Sequence, residues 1–129
     1  MQQPTFLPMA QHTDLGKRGE QIALEHLKVN GYEIIANNWR YQHAEIDLIV
    51  QKKNDLVFIE VKTRTGNFFG NPEEFVTSQK EKLFALAAEE FIYRQGHTGE
   101  CRFDIVSVTF SKDGLSYQVH HIEDAFFPR

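Results

Sequence analysis

The sequence predicts an α/β domain with a central mixed β-sheet flanked by helices. Three observations carry this prediction. Two separated stretches place apolar residues at helical spacing. Five others are rich in β-branched and aromatic residues, and the two kinds follow in the order α-β-β-β-α-β-β. The chain has 129 residues, one ordinary domain, and at 41% hydrophobic it can bury a core without disulfide or zinc staples.

The first 14 residues are polar and contain Pro4 and Pro8. They lack the basic-then-apolar pattern of a signal peptide and are expected to form a flexible tail, with the domain spanning 15–129. Leu15 to Asn30 reads as a helix with Ala23, Leu24 and Leu27 on one stripe, Asp14 as N-cap and Gly31 at the C-terminal cap. Glu33 to Asn38 reads as a short strand. Glu45 to Val50 and Leu56 to Thr63 are strands joined by a turn at Lys52-Lys53-Asn54-Asp55. Arg64 to Pro72, with Gly66, Asn67, Gly70 and Asn71, reads as a loop. Thr77 or Ser78 opens a second helix that runs to Gln95 and ends over Gly96 to Gly99. Arg102 to Phe110 and Leu115 to His120 complete the strands, with a turn at Lys112-Asp113-Gly114.

Composition narrows the function classes. Cys101 is the one cysteine, so an internal disulfide is excluded, and a lone thiol suits a reducing, cytoplasmic compartment. No apolar run approaches the length of a membrane span. The net charge of −4 counts against nonspecific binding of nucleic acid and mildly for a protein partner. A metal site, however, needs clustered carboxylates, and a local basic patch can serve a weakly acidic protein.

The hairpin concentrates the chemistry. If Lys53-Asn54 is a two-residue turn, Lys52 faces Asp55, Asp47 faces Glu60 and Glu45 faces Lys62. Side chains alternate along a strand, so Glu45, Asp47, Glu60 and Lys62 share one face. The other face, Ile46, Leu48, Val50, Val57, Ile59 and Val61, is wholly apolar, which makes this an interior pair. Opposed like charges in such a place are destabilising. A hard divalent cation between Asp47 and Glu60 would remove that penalty, with the Val61 carbonyl as a third protein oxygen. The competing reading is structural: a Glu45–Lys62 ion pair, with the other acids meeting cations from elsewhere. Glu20 shares the inward stripe of the first helix, or is a first-turn Glu pointing outward. Spacing leaves both open.

The run Glu45-Ile46-Asp47-Leu48-Ile49 followed by Phe58-Ile59-Glu60-Val61-Lys62-Thr63-Arg64 resembles the PD-(D/E)xK nuclease superfamily, which includes restriction endonucleases and archaeal Holliday-junction resolvases. Over about Leu15 to Phe110 the closer likeness is to the bacterial YraN-type family. It rests on Gly16-Lys17-Arg18-Gly19-Glu20, Asn38-Trp39-Arg40, the hairpin, Phe69-Gly70-Asn71-Pro72 and Arg102-Phe103-Asp104. Ala44 departs from the family's usual glycine, a change in backbone freedom that removes no ligand.

The resemblance implies a restriction-endonuclease-like fold and Mg²⁺-assisted phosphodiester hydrolysis, with Mn²⁺ able to substitute. Asp47 and Glu60 would hold the metal. Lys62 would position or help deprotonate the attacking water, and Glu20 would bind or orient the metal's water shell. Arg64 would clamp a phosphate, and Gln79 and Lys80 at the second helix's N-terminus would lie near it. The expected substrate is DNA, branched or structured by analogy with resolvases, and the same analogy suggests a homodimer. Two other readings stay open: a binding module that retains the fold and cuts nothing, and a nuclease acting on RNA. Phe68, Phe69, Trp39 and Tyr41 are expected as core pieces, and Arg102 and Asp104 as a supporting ion pair.

Overall fold

The computed structural model describes residues 8–66 and 77–126, with side chains from Asp14 onward. Helix α1 spans Pro8–Val29, followed by strands β1 (Glu33–Tyr41), β2 (Ala44–Lys52) and β3 (Asp55–Thr65). Helix α2 (Ser78–Gln95) precedes β4 (Cys101–Phe110) and β5 (Tyr117–Ile122). The strands form one sheet in the order β1-β2-β3-β4-β5. Only β3 and β4 are parallel, and α2 lies in the connection between them; the other neighbours are antiparallel, so the sheet is mixed as expected.

The hairpin turn is two residues long, with Lys52 facing Asp55, and its tightness places Lys53 at φ 55°. From there the β2–β3 ladder runs to Leu48 and Ile59 and stops. β2 goes on alongside β1 as far as Ala44, while β3 goes on alongside β4 as far as Thr65. The sheet therefore forks one residue before Asp47 and Glu60.

Two apolar cores cover the faces. Ala23 and Leu27 of α1 pack on Leu48, Val50, Val57, Ile59, Val61, Val106, Val108 and Phe110. Phe84, Ala87, Ala88 and Phe91 of α2 pack on Ile49, Phe58 and Ile105. Ile46, expected beside Leu48 and Val50, is instead buried on the α2 side, because β2 has already left β3 when it reaches this residue. Gly19 is the point where α1 touches the sheet: a Cβ there would overlap the Thr63 hydroxyl of β3. Trp39 stacks on Tyr41 with ring centroids 6.3 Å apart and meets the Phe91 ring edge-on at 5.4 Å, a core role.

Several boundaries differ from expectation. α1 begins at Pro8, inside the segment read as a tail, so Asp14 lies within the helix and is not its N-cap. A proline in the first turn needs no backbone donor, so it starts a helix as readily as it ends one. β1 runs on through Tyr41 because Arg40 and Tyr41 pair with Glu45 and Ala44, a ladder that polar residues sustain as well as apolar ones. β5 starts later, at Tyr117. The Asp113 carboxylate accepts from Ser111 Oγ and Leu115 N and holds a wider turn. α2 matches its expected span, with Thr77 as N-cap and Gly96 at φ 67° as the left-handed C-cap. Phe68 and Phe69 lie outside the described residues. No helix among the described residues is long and apolar enough to cross a membrane.

One polar network is sealed into the α1 side of the sheet. Asp104 has no solvent exposure. It accepts two bonds from Arg102 at 2.8 Å and one from the Asp124 N–H at 2.9 Å, and His121 Nε2 lies 2.7 Å away. Arg102 also donates to the Tyr32 hydroxyl at 2.8 Å, tying the turn between α1 and β1 to β4. Burial alone would raise the Asp104 pKa, but the bonds from His121, Arg102 and Asp124 outweigh it and hold the carboxyl below its usual range. A depressed carboxylate stabilises the fold above its unfolded pKa, near 4, and that contribution is lost as pH falls through the lower folded value. Asp104→Asn is therefore predicted to cost about 3–5 kcal/mol at pH 7, since it removes the buried anion that Arg102 and His121 face and leaves Arg102 only the more distant, exposed Glu123. Melting curves at pH 7 and pH 3 check this: the gap between wild type and variant should shrink in acid.

Candidate functional site

The fork in the sheet is where the expected residues gather. Past the last β2–β3 pair, the Asp47 carboxylate turns into the gap and accepts the Val61 N–H at 2.8 Å. Within an extended strand a residue's N–H and C=O face the same neighbour, so the Val61 carbonyl faces this gap too. Glu60 is 6% exposed and follows Phe58 on the α2 side of β3. Lys80, in the first turn of α2, donates to Glu60 Oε2 at 2.7 Å, and Lys62 Nζ lies 3.5 Å from the same oxygen. An open pocket of about 310 Å³ fills the fork, lined by Ala44, Glu45 and Asp47 from β2, Glu60 from β3, and Lys80, Leu83 and Phe84 from α2, with His43 at its edge.

α1 brings the fourth acid. Glu20 follows Gly19, so the close helix–sheet contact sets its position. Its carboxyl lies close enough to the Asn38 side chain to be eased by it, and it feels the negative charges of Glu45 and Glu60. Glu20 thus belongs to the acidic group and does not point away from it. Asn38 sits between the paired residues Asn37–Leu48 and Trp39–Ile46, across from Asp47, at φ 51°. Asparagine enters this left-handed region more readily than most side chains.

The electrostatics show strain. Burial, then the neighbouring Glu60, pushes the Asp47 carboxyl up to about 7, although the Val61 N–H opposes the shift. Burial and Glu45 raise Glu20. Burial lowers the Lys62 ammonium. For Lys80, burial would do the same, but its bond to Glu60 wins and raises it. Glu45, the outermost acid, pairs with Arg40 of β1 at 3.5 Å.

Arg64 and Gln79 do not line this pocket. Arg64 borders a separate shallow cleft with Leu15, Gly16, Thr63 and Thr65. Gln79 is exposed at the start of α2, next to Lys80. Lys80, expected near a substrate phosphate, is held by Glu60 in this structure. Sequence reasoning passed over Asn38 as a site residue, although the run Asn37-Asn38 inside a strand is a signal of irregular backbone. Among the described residues no three His, Cys, Asp or Glu side chains converge in an arrangement that holds a metal by side chains alone.

A mixed sheet forked at an acidic hairpin, with helices on both faces, defines the restriction-endonuclease-like fold. The chain belongs to the uncharacterised protein family UPF0102, the YraN family, whose model matches residues 19–108. A UPF0102 protein of Flavobacterium psychrophilum is 44% identical over 119 residues, covering 92% of this chain and 98% of the relative. Another, of Flavobacterium johnsoniae, is 44% identical over 123 residues with the same coverage. One from Rhodococcus jostii is 40% identical over 119 residues, covering 92% of this chain and all of its own.

The raised Asp47 carboxyl has a consequence for stability. Between about pH 4 and 7 the folded protein keeps a proton that the unfolded chain has lost, so stability falls as pH rises through this window. Above pH 7 the cost reaches at most about 4 kcal/mol. Asp47→Asn removes it while still accepting the Val61 N–H. In the absence of divalent ions the variant should melt several degrees above wild type at pH 8 and level with it near pH 4, checked by thermal denaturation across that range.

Proposed function

We propose that this protein is a divalent-cation-dependent endonuclease that hydrolyses phosphodiester bonds in DNA. The observation that carries the reading is the meeting of Asp47 with Glu60 inside the fork: two acids of which one, held back by burial and then by its neighbour, does not ionise readily. Lys80 and Lys62 offset Glu60, but Asp47 beside it stays costly to ionise without a further cation. Mg²⁺ characteristically uses one or two carboxylates and keeps several waters. The donor set fits that habit: Asp47, Glu60 and the Val61 carbonyl would hold the ion, and Glu20 would bind or orient its water shell.

The chemistry supplied by Mg²⁺ when bound is neutralisation of phosphate charge and acidification of a water. The chain's own groups do the rest. Lys62, its ammonium made a better proton donor by burial, sits beside Glu60, where it positions the attacking water and steadies charge on the phosphate. Gln79 and the first turn of α2 offer donors to the substrate backbone, and Arg64 extends the cationic edge of β3. Branched or structured DNA in the cytoplasm is the substrate that the resolvase likeness favours.

A second reading, a binding module that keeps the fold and cuts nothing, is favoured by the net charge of −4. One experiment separates them. Purified protein is incubated with supercoiled, single-stranded and four-way-junction DNA, with Mg²⁺ or Mn²⁺ and with chelator. Cleavage is predicted with metal only, reduced roughly 100-fold or more in Asp47→Asn, Glu60→Gln and Lys62→Met. Binding without cleavage, unchanged in those variants, would establish the module instead.

A further inference from the structure

Lys80 is the feature the proposed reaction leaves unexplained. A lysine meant only to meet substrate would extend into solvent from the start of α2. Here its ammonium reaches back 20 residues in sequence to Glu60 and makes the shortest ion pair in the pocket, 2.7 Å, with Lys62 at 3.5 Å from the same oxygen. Its backbone N–H is anchored by the Thr77 hydroxyl at 3.1 Å, so the side chain swings from a fixed base. It lines the pocket together with Asp47 and Glu60. Two ammonium groups on one carboxylate oxygen leave little attraction for a further cation at that atom.

We infer that Lys80 is a built-in counter-ion: its ammonium takes the place of a divalent cation on Glu60 in the metal-free protein and, once displaced, turns to a backbone phosphate of the nucleic acid. This rests on the reading of Asp47 and Glu60 as the metal-holding pair. The argument is one of charge balance. Without metal, Lys80 and Lys62 offset the buried Glu60. With a dication on the carboxylates, a third positive centre at Oε2 is repelled, and a long lysine stem on the first helical turn has an anion to reach as soon as a phosphate enters. Metal binding would then be opposed by Lys80 until substrate arrives, and the two would bind cooperatively.

Two measurements test this, neither of them turnover. Calorimetric titration with Mn²⁺ in the absence of nucleic acid should give Lys80→Met an affinity roughly tenfold or more above wild type. Lys80→Gln keeps a neutral donor for Glu60, guards against loss of the fold, and should shift the same way. Binding to a duplex DNA is then followed against salt, with and without Ca²⁺. Removing Lys80 should reduce the salt slope by about one ion when Ca²⁺ is present and leave it unchanged when Ca²⁺ is absent. Equal or weaker Mn²⁺ binding in both variants would overturn the inference while leaving the metal site standing, as would a slope change that ignores Ca²⁺. If neither wild type nor variants take up Mn²⁺, the reading of the site falls, and the inference with it. A folded RNA duplex in the same salt series, if bound with the identical Ca²⁺-dependent change, would keep the counter-ion role and move the substrate from DNA to RNA.

Discussion

The structure depends on the enforced proximity of Asp47 and Glu60. Two strands that pair from Lys52–Asp55 to Leu48–Ile59 must bring the next residues close, whatever their charge. A slip of one residue would move every core side chain of one strand to the opposite face. The apolar residues at the closed end of the hairpin therefore fix the acids at the open end. What the fold can do is part the strands, and it does so one step before the charges meet. β2 leaves with β1, β3 stays with β4, and the resulting gap opens into the pocket lined by Asp47, Glu60 and Lys80.

The protein contains a control for what an acid in such surroundings requires. Asp104 is more deeply buried than Asp47, yet its pKa is lowered, because an arginine, a histidine and a backbone N–H all point at it. Asp47 receives one backbone N–H and faces another acid, and its pKa is raised. Burial pushes both acids up; the partners of Asp104 outweigh it, and the single N–H on Asp47 does not. Asp104 and its neighbours form a structural unit joining the α1–β1 turn, β4, β5 and the segment after it. The fork leaves its charges incompletely compensated, which is the pattern expected where stability is given up for binding or chemistry.

Much of this was legible in the residues. Element order, the two-residue turn and the hairpin register follow from pattern and pleat, since they depend on local chain geometry. The Arg102–Asp104 pair follows from alternation along one strand. His121 as its third member does not, because that contact depends on how β5 registers on β4. The fork itself could not be read either: alternation places Ile46 with Leu48, whereas the strand has already left its partner there. Likewise, spacing could not tell an inward Glu20 from an outward one. The deciding contact is Gly19 against Thr63, which links a helix and a strand 44 residues apart. Lys80 was correctly assigned to the helix start beside the site, but its hold on Glu60 depends on the crossover that lays α2 over β2 and β3.

The central claim is that the gap between Asp47 and Glu60 is a cation site. Anomalous diffraction from crystals grown with Mn²⁺ tests it most directly. The account predicts a strong peak within bonding distance of both carboxylates and of the Val61 carbonyl, with the Lys80 ammonium moved off Glu60. A difference map with no peak in the fork, or with Mn²⁺ bound only elsewhere and the lysine still seated on its acid, would contradict it.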